Sequence, residues 1–189
     1  MYRFSFIPQE SIVNLSCIIV NYYSSASLKN CLESVYQTLR KISFEVIIVD
    51  NSQNDPGMAF LKESYPQVQV IQNADNVGFA KANNQAALSA QGKTLLFLNP
   101  DTILADQAIE EMVVYLESNP NICALGPKVL NTDGSLQYSC RRFPTLMTGF
   151  FNRYSLLSWW FPDNIFTVQY LMKDFNHDEN REVDWLSGC

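Results

Sequence analysis

The sequence predicts an α/β fold in which helices flank a mainly parallel sheet. Up to about residue 120, short apolar runs alternate with segments of helical periodicity, a pattern typical of βαβ units. Apolar residues make up 47% of the 189 residues and charged residues 17%, so the chain can bury the core of one ordinary domain. Several apolar runs also end in a carboxylate or an amide, at the edge where open α/β sheets bind ligands.

The predicted elements follow in order along the chain. Apolar, β-rich runs predict strands at residues 15–20, 45–50, 68–71, 95–98 and 123–130. Helical spacing predicts one helix with a buried stripe of Leu28, Cys31, Leu32, Val35 and Leu39, and another with Ile109, Met112, Val113 and Leu116. Asp106 is the predicted cap of the second of these helices. Two further helices are expected at residues 58–65 and 80–90, and a hairpin turn at 131–134 leads into residues 136–140.

The fourth strand and the turn after it lead to the first functional hypothesis. Residues 95–98 form an uninterrupted apolar run, which predicts a central strand buried on both faces. Pro100 cannot donate to a strand ladder and should end the strand. Asp101 is then left at the carboxyl end of the strand. We expect it to hold a divalent metal on the diphosphate of a sugar nucleotide.

Polar residues also follow the first and second strands. Asn21 ends the first strand, Asp50, Asn51 and Ser52 end the second, and Asn99 precedes Asp101. Parallel strands end along one edge of a sheet, so these side chains could converge on a single ligand. Their carboxylates and amides suit a base, a ribose and a hard ion such as Mg²⁺ or Mn²⁺. The alternative is that each of them only caps a turn.

Composition and missing motifs exclude several other classes of protein. A net charge of -6 offers no basic field for nucleic acid. No glycine-rich dinucleotide or P-loop fingerprint is present, which disfavours a Rossmann dehydrogenase or a P-loop enzyme. A Ser-His-Asp hydrolase is disfavoured because no nucleophile elbow occurs and the single histidine, His177, lies in a polar segment typical of a surface.

Cysteine spacing and hydropathy bear on location. The five cysteines are scattered without a Cys-x-x-Cys pair, which favours buried free thiols in a reducing compartment over a zinc site. No apolar stretch approaches the roughly 20 residues that cross a bilayer, and the first residues do not resemble a signal peptide. We therefore expect a cytoplasmic protein, with contact at the inner face of the cell membrane left open.

Five motifs, in order, carry a resemblance to a known family. They are Val20-Asn21-Tyr22, Val49-Asp50-Asn51-Ser52, Asn76-Val77-Gly78-Phe79-Ala80 with Asn83, Leu98-Asn99-Pro100-Asp101, and Val183-Asp184-Trp185-Leu186-Ser187-Gly188. Together they resemble the motifs of family-two glycosyltransferases, and most closely those of the rhamnosyltransferase-like branch that decorates bacterial surface polysaccharides. The resemblance runs from about Leu15 to the last residue. It implies a GT-A fold, a Rossmann-like sheet with a nucleotide-sugar site at the strand ends.

The resemblance also implies roles for individual residues. Asp50 would contact the base or ribose of the donor, with Asn21 and Asn51 in the same pocket. Gly78 would allow close backbone approach to the nucleotide, and Asn83 would face it from the following helix. Asn99-Pro100-Asp101 would replace the family's Asp-x-Asp motif, with Asp101 as the metal ligand and Asn99 in place of the first aspartate. That replacement leaves one formal charge fewer near a Mg²⁺ or Mn²⁺ ion.

The implied reaction is an inverting displacement at the anomeric carbon, in which a general base deprotonates an acceptor hydroxyl. In the family that base lies in a Glu-Asp motif downstream of the Ser-Gly segment, and no such motif follows Gly188. We therefore expect a chain truncated at its C-terminus that lacks the base and transfers poorly. Asp184 is only a weak catalytic candidate near the acceptor site.

The expected organisation is an N-terminal extension (1–14), a nucleotide-sugar-binding core (15–140) and a partial acceptor-side region (141–189). The last region is rich in aromatic residues with arginines nearby. These aromatic residues are either core residues of the acceptor side or an interfacial surface that meets a membrane. The expected donor is dTDP-rhamnose or a UDP-sugar, and the expected acceptor is a polysaccharide or a lipid-linked oligosaccharide. The alternative function is a non-catalytic sugar-nucleotide-binding module.

Overall fold

The computed structural model describes residues 13–53, 55–150, 160 and 164–187. These residues belong to two compact units, Met1–Cys123 and Ala124–Cys189. Most of the predicted N-terminal extension lies outside the described residues, as do Gly188 and Cys189. So do several residues of the aromatic stretch: Phe151, Arg153, Tyr154, Leu156, Leu157, Trp159 and Phe161. The expected division at residues 14 and 140 therefore stays a prediction.

A four-stranded parallel sheet forms the centre of the first unit. Its strands are β1 (Leu15–Asn21), β2 (Phe44–Asp50), β3 (Gln69–Gln72) and β4 (Thr94–Leu98), in the spatial order β3-β2-β1-β4. All three pairings are parallel. The predicted α/β fold with a mainly parallel sheet is confirmed.

Four helices connect or follow these strands. They are α1 (Ser25–Thr38), α2 (Phe60–Ser64), α3 (Phe79–Ser89) and α4 (Ala108–Ser118), and a 3₁₀ turn, Pro56–Ala59, precedes α2. The predicted helices are confirmed, but Asp106 does not cap α4. Gln107 precedes the helix with a φ of 62° and makes no capping hydrogen bond through its side chain.

The core lies on both faces of β1 and β2 because alternate side chains of a strand point to opposite faces. On one face, Cys17 and Ile19 of β1 pack with the buried stripe of α1. On the other face, Ile18 of β1 packs with Ala82 and Ala86 of α3. The small alanine side chains let the α3 backbone lie close to the sheet. β1 is therefore buried along its whole length, and β2 is buried from Val46 to Asp50.

The strand β4 corrects one prediction. It was expected to be central and buried on both faces, but it is an edge strand of the described sheet. Leu98 is buried, whereas Leu95 is 37% exposed and Phe97 is 52% exposed. The physical reason is that α3 contacts β1 and β2, so the face of β4 that carries Leu95 and Phe97 is left open. An apolar run alone does not distinguish an edge strand from a central one.

The second unit contains short strands and helices. Strands β5 (Val129–Leu130) and β6 (Leu136–Gln137) form the predicted hairpin, with Gly134 at a φ of 81°. The predicted strand over 123–130 is wrong except at its last two residues, because the Gly126-Pro127 pair interrupts it. Strand β7 (Cys140–Arg141) pairs with β8 (Trp185–Leu186) instead of extending the hairpin.

Helices α5 (Leu146–Phe150) and α6 (Ile165–Tyr170) belong to the same unit. A small core of Cys140, Met172 and Phe175 supports it. His177, expected at the surface, is only partly exposed and stacks on Phe175 with ring centroids 4.5 Å apart. Among the described residues, no helix is long and apolar enough to cross a membrane.

Candidate functional site

The candidate site begins where β1 and β2 end side by side. Asn21 and Asp50 are register partners at the last positions of the two strands. The Asn21 amide Nδ2 donates to Asp50 Oδ1 at 2.9 Å, and the Ser52 backbone N–H donates to the same oxygen at 3.0 Å. Within the part of the chain that the structure describes, the other oxygen of Asp50 accepts no hydrogen bond. Asp50 therefore has a fixed orientation and an oxygen available to a ligand donor.

Asn21 is fully buried and holds this arrangement in place. Its Oδ1 accepts from the backbone N–H of Ser24 at 3.1 Å, while Nδ2 faces Asp50 and lies 3.4 Å from Ser52 Oγ. Ser52 Oγ in turn accepts from the Tyr23 backbone N–H at 2.8 Å. With both ends of its amide engaged, Asn21 acts first as a positioning residue for Asp50. Its predicted contact with a ligand stays a prediction.

Asn51 connects the loop after β2 to the loop after β3. It is 2% exposed, and its Nδ2 donates to Asn76 Oδ1 at 3.2 Å. Its Oδ1 accepts from Asn73 Nδ2 at 2.9 Å. Asn51 therefore fixes the two loops that border Asp50. Its expected contact with the nucleotide stays a prediction.

Gly78 marks the start of α3. It has a φ of 84° and a ψ of 162°, a conformation open almost only to glycine, and its N–H donates to Asn76 Oδ1 at 2.9 Å. A Cβ placed on Gly78 would meet no heavy atom within 4 Å, so the space beside it is free. Asn83, one turn into α3, is 7% exposed and donates from Nδ2 to the Phe79 carbonyl at 3.1 Å. The free space is compatible with close approach of a ligand to Gly78.

The Asn99-Pro100-Asp101 turn lies on the other side of β1. Ile19 pairs with Leu98, and the same register continued by two residues brings Pro100 level with Asn21. The Asn99 carbonyl accepts from Cys31 Sγ of α1 at 3.6 Å. Burial and, secondly, the nearby Asp101 charge raise the pKa of Cys31 to about 12. Asp101 is itself exposed, so its carboxylate can reach a ligand or an ion from solvent.

A metal at this edge would depend on Asp101 and on the oxygens of a bound ligand. The described residues contain no group of three or more His, Cys, Asp or Glu side chains arranged around an ion. Mg²⁺ in enzymes is often held by one or two carboxylates together with substrate phosphates and water. A single exposed carboxylate at a strand end fits that mode of binding, and it does not fit a preformed protein cage.

Asp184 lies in the second unit and has a structural contact. Its Oδ2 accepts from the Phe143 backbone N–H at 2.7 Å, next to the β7–β8 pair. The neighbouring Trp185 donates from its indole N–H to the Arg142 carbonyl at 3.2 Å. These bonds hold the Asp184 segment against the Arg142 segment. A catalytic role for Asp184 stays a prediction.

Two features near the site were not expected from the sequence. The first is an exposed aromatic pair, Tyr22 and Tyr23, with ring centroids 5.0 Å apart beside the Asp50 cluster. The second is Asn73, the residue that follows β3 and bonds to Asn51. The signal that identified Asn21 and Asp50, a polar side chain at a strand end, applies equally to Asn73.

Comparison with known proteins now places the chain. The family model described as Glycosyl transferase family 2 matches residues 16–178. The chain belongs to this family. The resemblance drawn from the five motifs is therefore confirmed at the level of the family.

Two relatives of this family-two chain illustrate the range of the match. It is 27% identical over 187 residues to an N-acetylglucosaminyl-diphospho-decaprenol L-rhamnosyltransferase of Mycobacterium tuberculosis, covering 92% of this chain and 59% of the relative. It is 30% identical over 119 residues to a poly(ribitol-phosphate) beta-glucosyltransferase of Bacillus spizizenii, covering 60% of this chain and 19% of the relative. The chain thus spans less than two thirds of each relative.

Solved structures confirm the fold. S. aureus TarS 1–349 superimposes with a TM-score of 0.52 at 18% identity, covering 73% of this chain and 44% of that one. The same protein in complex with UDP-GlcNAc gives a TM-score of 0.50 at 23% identity, covering 57% and 32%. At this identity the likeness establishes the fold alone. The expected GT-A, Rossmann-like architecture is confirmed.

Proposed function

We propose that this family-two chain provides the nucleotide-sugar-binding site, at the strand ends, for inverting transfer of the sugar to a polysaccharide or lipid-linked acceptor. The observation that carries the proposal is the Asn21–Asp50 pair, which gives one buried carboxylate a fixed orientation at the end of β2. Asp50 would accept a hydrogen bond from the base or ribose through the oxygen that Asn21 does not hold. Asn51, Gly78, Asn83 and Asn99 would border the same nucleotide.

Asp101 would hold Mg²⁺ or Mn²⁺ on the donor diphosphate. Such an ion, when bound, supplies positive charge that stabilises a leaving diphosphate. Asp101 suits this role because it is exposed, while Asn99 beside it is held through its carbonyl by Cys31. The asparagine at position 99 leaves Asp101 as the one anionic side chain of the turn, so we expect affinity for the metal to depend on the phosphates.

The donor is dTDP-rhamnose or a UDP-sugar. Support comes from the relatives' own names: one is a rhamnosyltransferase, and a structure with the same fold contains UDP-GlcNAc. The name of the rhamnosyltransferase also contains a lipid-linked acceptor, which supports a lipid-linked oligosaccharide as one acceptor class. The nucleotides of both donor classes, UDP and dTDP, are therefore tested.

Titration calorimetry of UDP and dTDP with and without Mn²⁺ tests the donor site. We expect metal-dependent binding that Asp101→Asn weakens by at least about tenfold, since loss of even an outer-shell partner costs about 10- to 100-fold in metal affinity. Asp106→Asn is the matched control because Asp106 is an exposed carboxylate on the same β4–α4 connection. Binding without metal dependence, or equal losses in the two variants, would overturn the assignment of Asp101.

We also propose that the second unit contacts the inner face of the cell membrane from the cytoplasm. The segment from Gly134 to Pro162 contains arginines at 141, 142 and 153 and no acidic residue, although the whole chain carries a charge of -6. Within it Phe143 is 67% exposed and Leu146 is 90% exposed. Exposed apolar side chains beside cations favour an anionic lipid surface.

Sedimentation with vesicles tests this contact. The chain should pellet with vesicles of phosphatidylglycerol and phosphatidylcholine, and pellet far less with phosphatidylcholine alone. The double variant Phe143→Ser and Leu146→Ser should lower the bound fraction, whereas Leu130→Ser, at an apolar position on β5 that is 55% exposed, should not. If the chain does not pellet with the anionic vesicles, the proposed membrane contact is wrong.

A further inference from the structure

Asn73 joins three elements around the candidate site. Its backbone N–H donates at 2.9 Å to the carbonyl of Asp50, the last residue of β2. Its side-chain Nδ2 donates both to Asn51 Oδ1 at 2.9 Å and to Gln85 Oε1 at 3.0 Å. Gln85 lies on α3, so Asn73 connects the ends of β2 and β3 to that helix. No motif of the sequence singled out either residue.

The Asn73–Gln85 contact is reciprocal. In addition to the bond from Asn73, Gln85 Nε2 donates back to Asn73 Oδ1 at 3.1 Å. Two antiparallel amide bonds fix the orientation of both side chains, because turning either amide over would place two donors or two acceptors face to face. Turning Asn73 would also lose its bond to Asn51. The pair therefore has one hydrogen-bonded arrangement.

The same network reaches the start of α3. Asn51 Nδ2 donates to Asn76 Oδ1, and that oxygen also accepts from the Gly78 backbone N–H at 2.9 Å. The loop from Asn73 to Gly78 is thus held at one end by Gln85 and near the other by Asn51. Gln85 lies on α3 and Gly78 immediately precedes the helix. The reciprocal Asn73–Gln85 bonds, here called the clamp, therefore set the position of the first turn of α3 relative to Asp50.

We propose that Asn73 and Gln85 are positioning residues of the donor site, which set the affinity for a nucleoside diphosphate without touching it. They act by holding Asn51 and the α3 N-terminus at a fixed distance from the Asp50 carboxylate. The inference rests on the proposed nucleotide-sugar site. It adds two residues outside the family motifs and predicts that a change on the middle of α3 alters ligand affinity at the sheet edge.

The test measures UDP and dTDP affinity, with Mn²⁺, for two variants and a control. Gln85→Leu removes both amide bonds while keeping a good helix former, and Gln85→Glu keeps an acceptor for Asn73 Nδ2. The control Gln53→Leu removes an exposed bond between the same two loops, from Gln53 Nε2 to Asp75 Oδ1 at 3.0 Å. Circular dichroism and urea unfolding of the unliganded chains establish that each variant is folded at the binding temperature.

We expect Gln85→Leu to weaken nucleotide binding by about tenfold, the size of coupling found within one hydrogen-bond network, and Gln53→Leu to leave it unchanged. Gln85→Glu should cause a smaller but measurable loss, because it keeps the acceptor for Asn73 Nδ2 but places a second oxygen against Asn73 Oδ1. A purely structural role would lower stability and leave the affinity of the folded chain intact, which would overturn the inference. So would an equal loss in Gln53→Leu. If the wild-type chain itself binds neither nucleotide, the donor-site proposal has failed instead, and the two failures are thereby told apart. Should Gln85→Leu not fold, Gln85→Glu with unchanged affinity would still contradict the inference.

Discussion

Asn21 and Asp50 are linked both by strand register and by a side-chain hydrogen bond of 2.9 Å. Asp50 is 2% exposed and Asn21 is fully buried. The pair therefore places a carboxylate at the carboxyl ends of the central strands, largely shielded from water. A buried carboxylate is tolerated when donors surround it, and Asn21 Nδ2 and the Ser52 N–H are those donors here. The pair therefore contributes to stability as well as to the candidate site.

Asn21→Ala should lower the free energy of unfolding by about 2 kcal/mol, because hydrogen bonds to a charged group contribute about 1.5–3 kcal/mol. Nucleotide affinity should fall with it, since Asp50 loses its fixed orientation. Urea unfolding and calorimetry measure the two effects. Asn84→Ala, at an exposed asparagine on α3, serves as the control: it should leave affinity unchanged and raise stability slightly, because alanine is the better helix former. Equal stability of Asn21→Ala and the wild type would contradict this account of the pair.

The positions of Asn21 and Asp50 could be predicted from the sequence because local pattern determines them. Each follows an apolar run whose length fits one strand, and parallel strands that begin together also end together. Asp101 was predicted on the same argument, and the proline before it fixed where β4 ends. The chemistry of a strand end is thus readable without a structure.

What could not be predicted depends on the third dimension. The run at 95–98 has the same composition in a central or an edge strand, and only the sheet order shows that Phe97 is half exposed. The clamp between Asn73 and Gln85 joins residues on different elements, so the periodicity of the sequence does not predict it. The strand predicted at 123–130 is wrong although the sequence contains a strand-breaking pair, Gly126-Pro127, inside the apolar run.

Gly78→Ala should cost about 1–3 kcal/mol of stability, because a φ of 84° with a ψ of 162° is strained for any side chain. Steric crowding is not the cause, since a Cβ there meets no heavy atom within 4 Å. Nucleotide affinity should also fall if the ligand approaches the Gly78 backbone. Gly134→Ala provides the comparison, as Gly134 has a φ of 81° in the β5–β6 hairpin. It should cost similar stability and leave nucleotide affinity unchanged, and an equal loss of affinity in both would contradict the role of Gly78.

The described cysteines should differ sharply in reactivity. Burial first, and then nearby charges, raise the pKa of Cys17 and that of Cys31 to about 12, so both are almost wholly protonated thiols at pH 8. Cys123 is exposed. Iodoacetamide at pH 8 should therefore modify Cys123 in the native chain, and Cys17 and Cys31 only after urea unfolds it. Peptide mass mapping reads out each site, and rapid native labelling of Cys31 would contradict the packing of α1 against the Asn99 turn.

His177 should make stability depend on pH between about 8 and 5. Burial against Phe175, and secondly the charge of Lys128, lower the pKa of His177 below its usual 6.5, with Asp178 opposing the shift. The folded chain therefore favours the neutral ring, whose buried Nε2 has no hydrogen-bond partner among the described residues. As the pH falls below 6.5, the unfolded chain takes up the proton first and stability is lost until the folded pKa is passed.

The variant His177→Asn isolates this effect, because asparagine tolerates the φ of 59° at this position and does not titrate in the range. Other groups that titrate between pH 8 and 5 contribute equally to both chains. Urea unfolding at several pH values should show the wild type losing stability relative to His177→Asn as the pH falls from 8 to 5. Parallel curves for the two chains, or a wild type that gains stability on acidification relative to the variant, would contradict the burial of the neutral ring against Phe175.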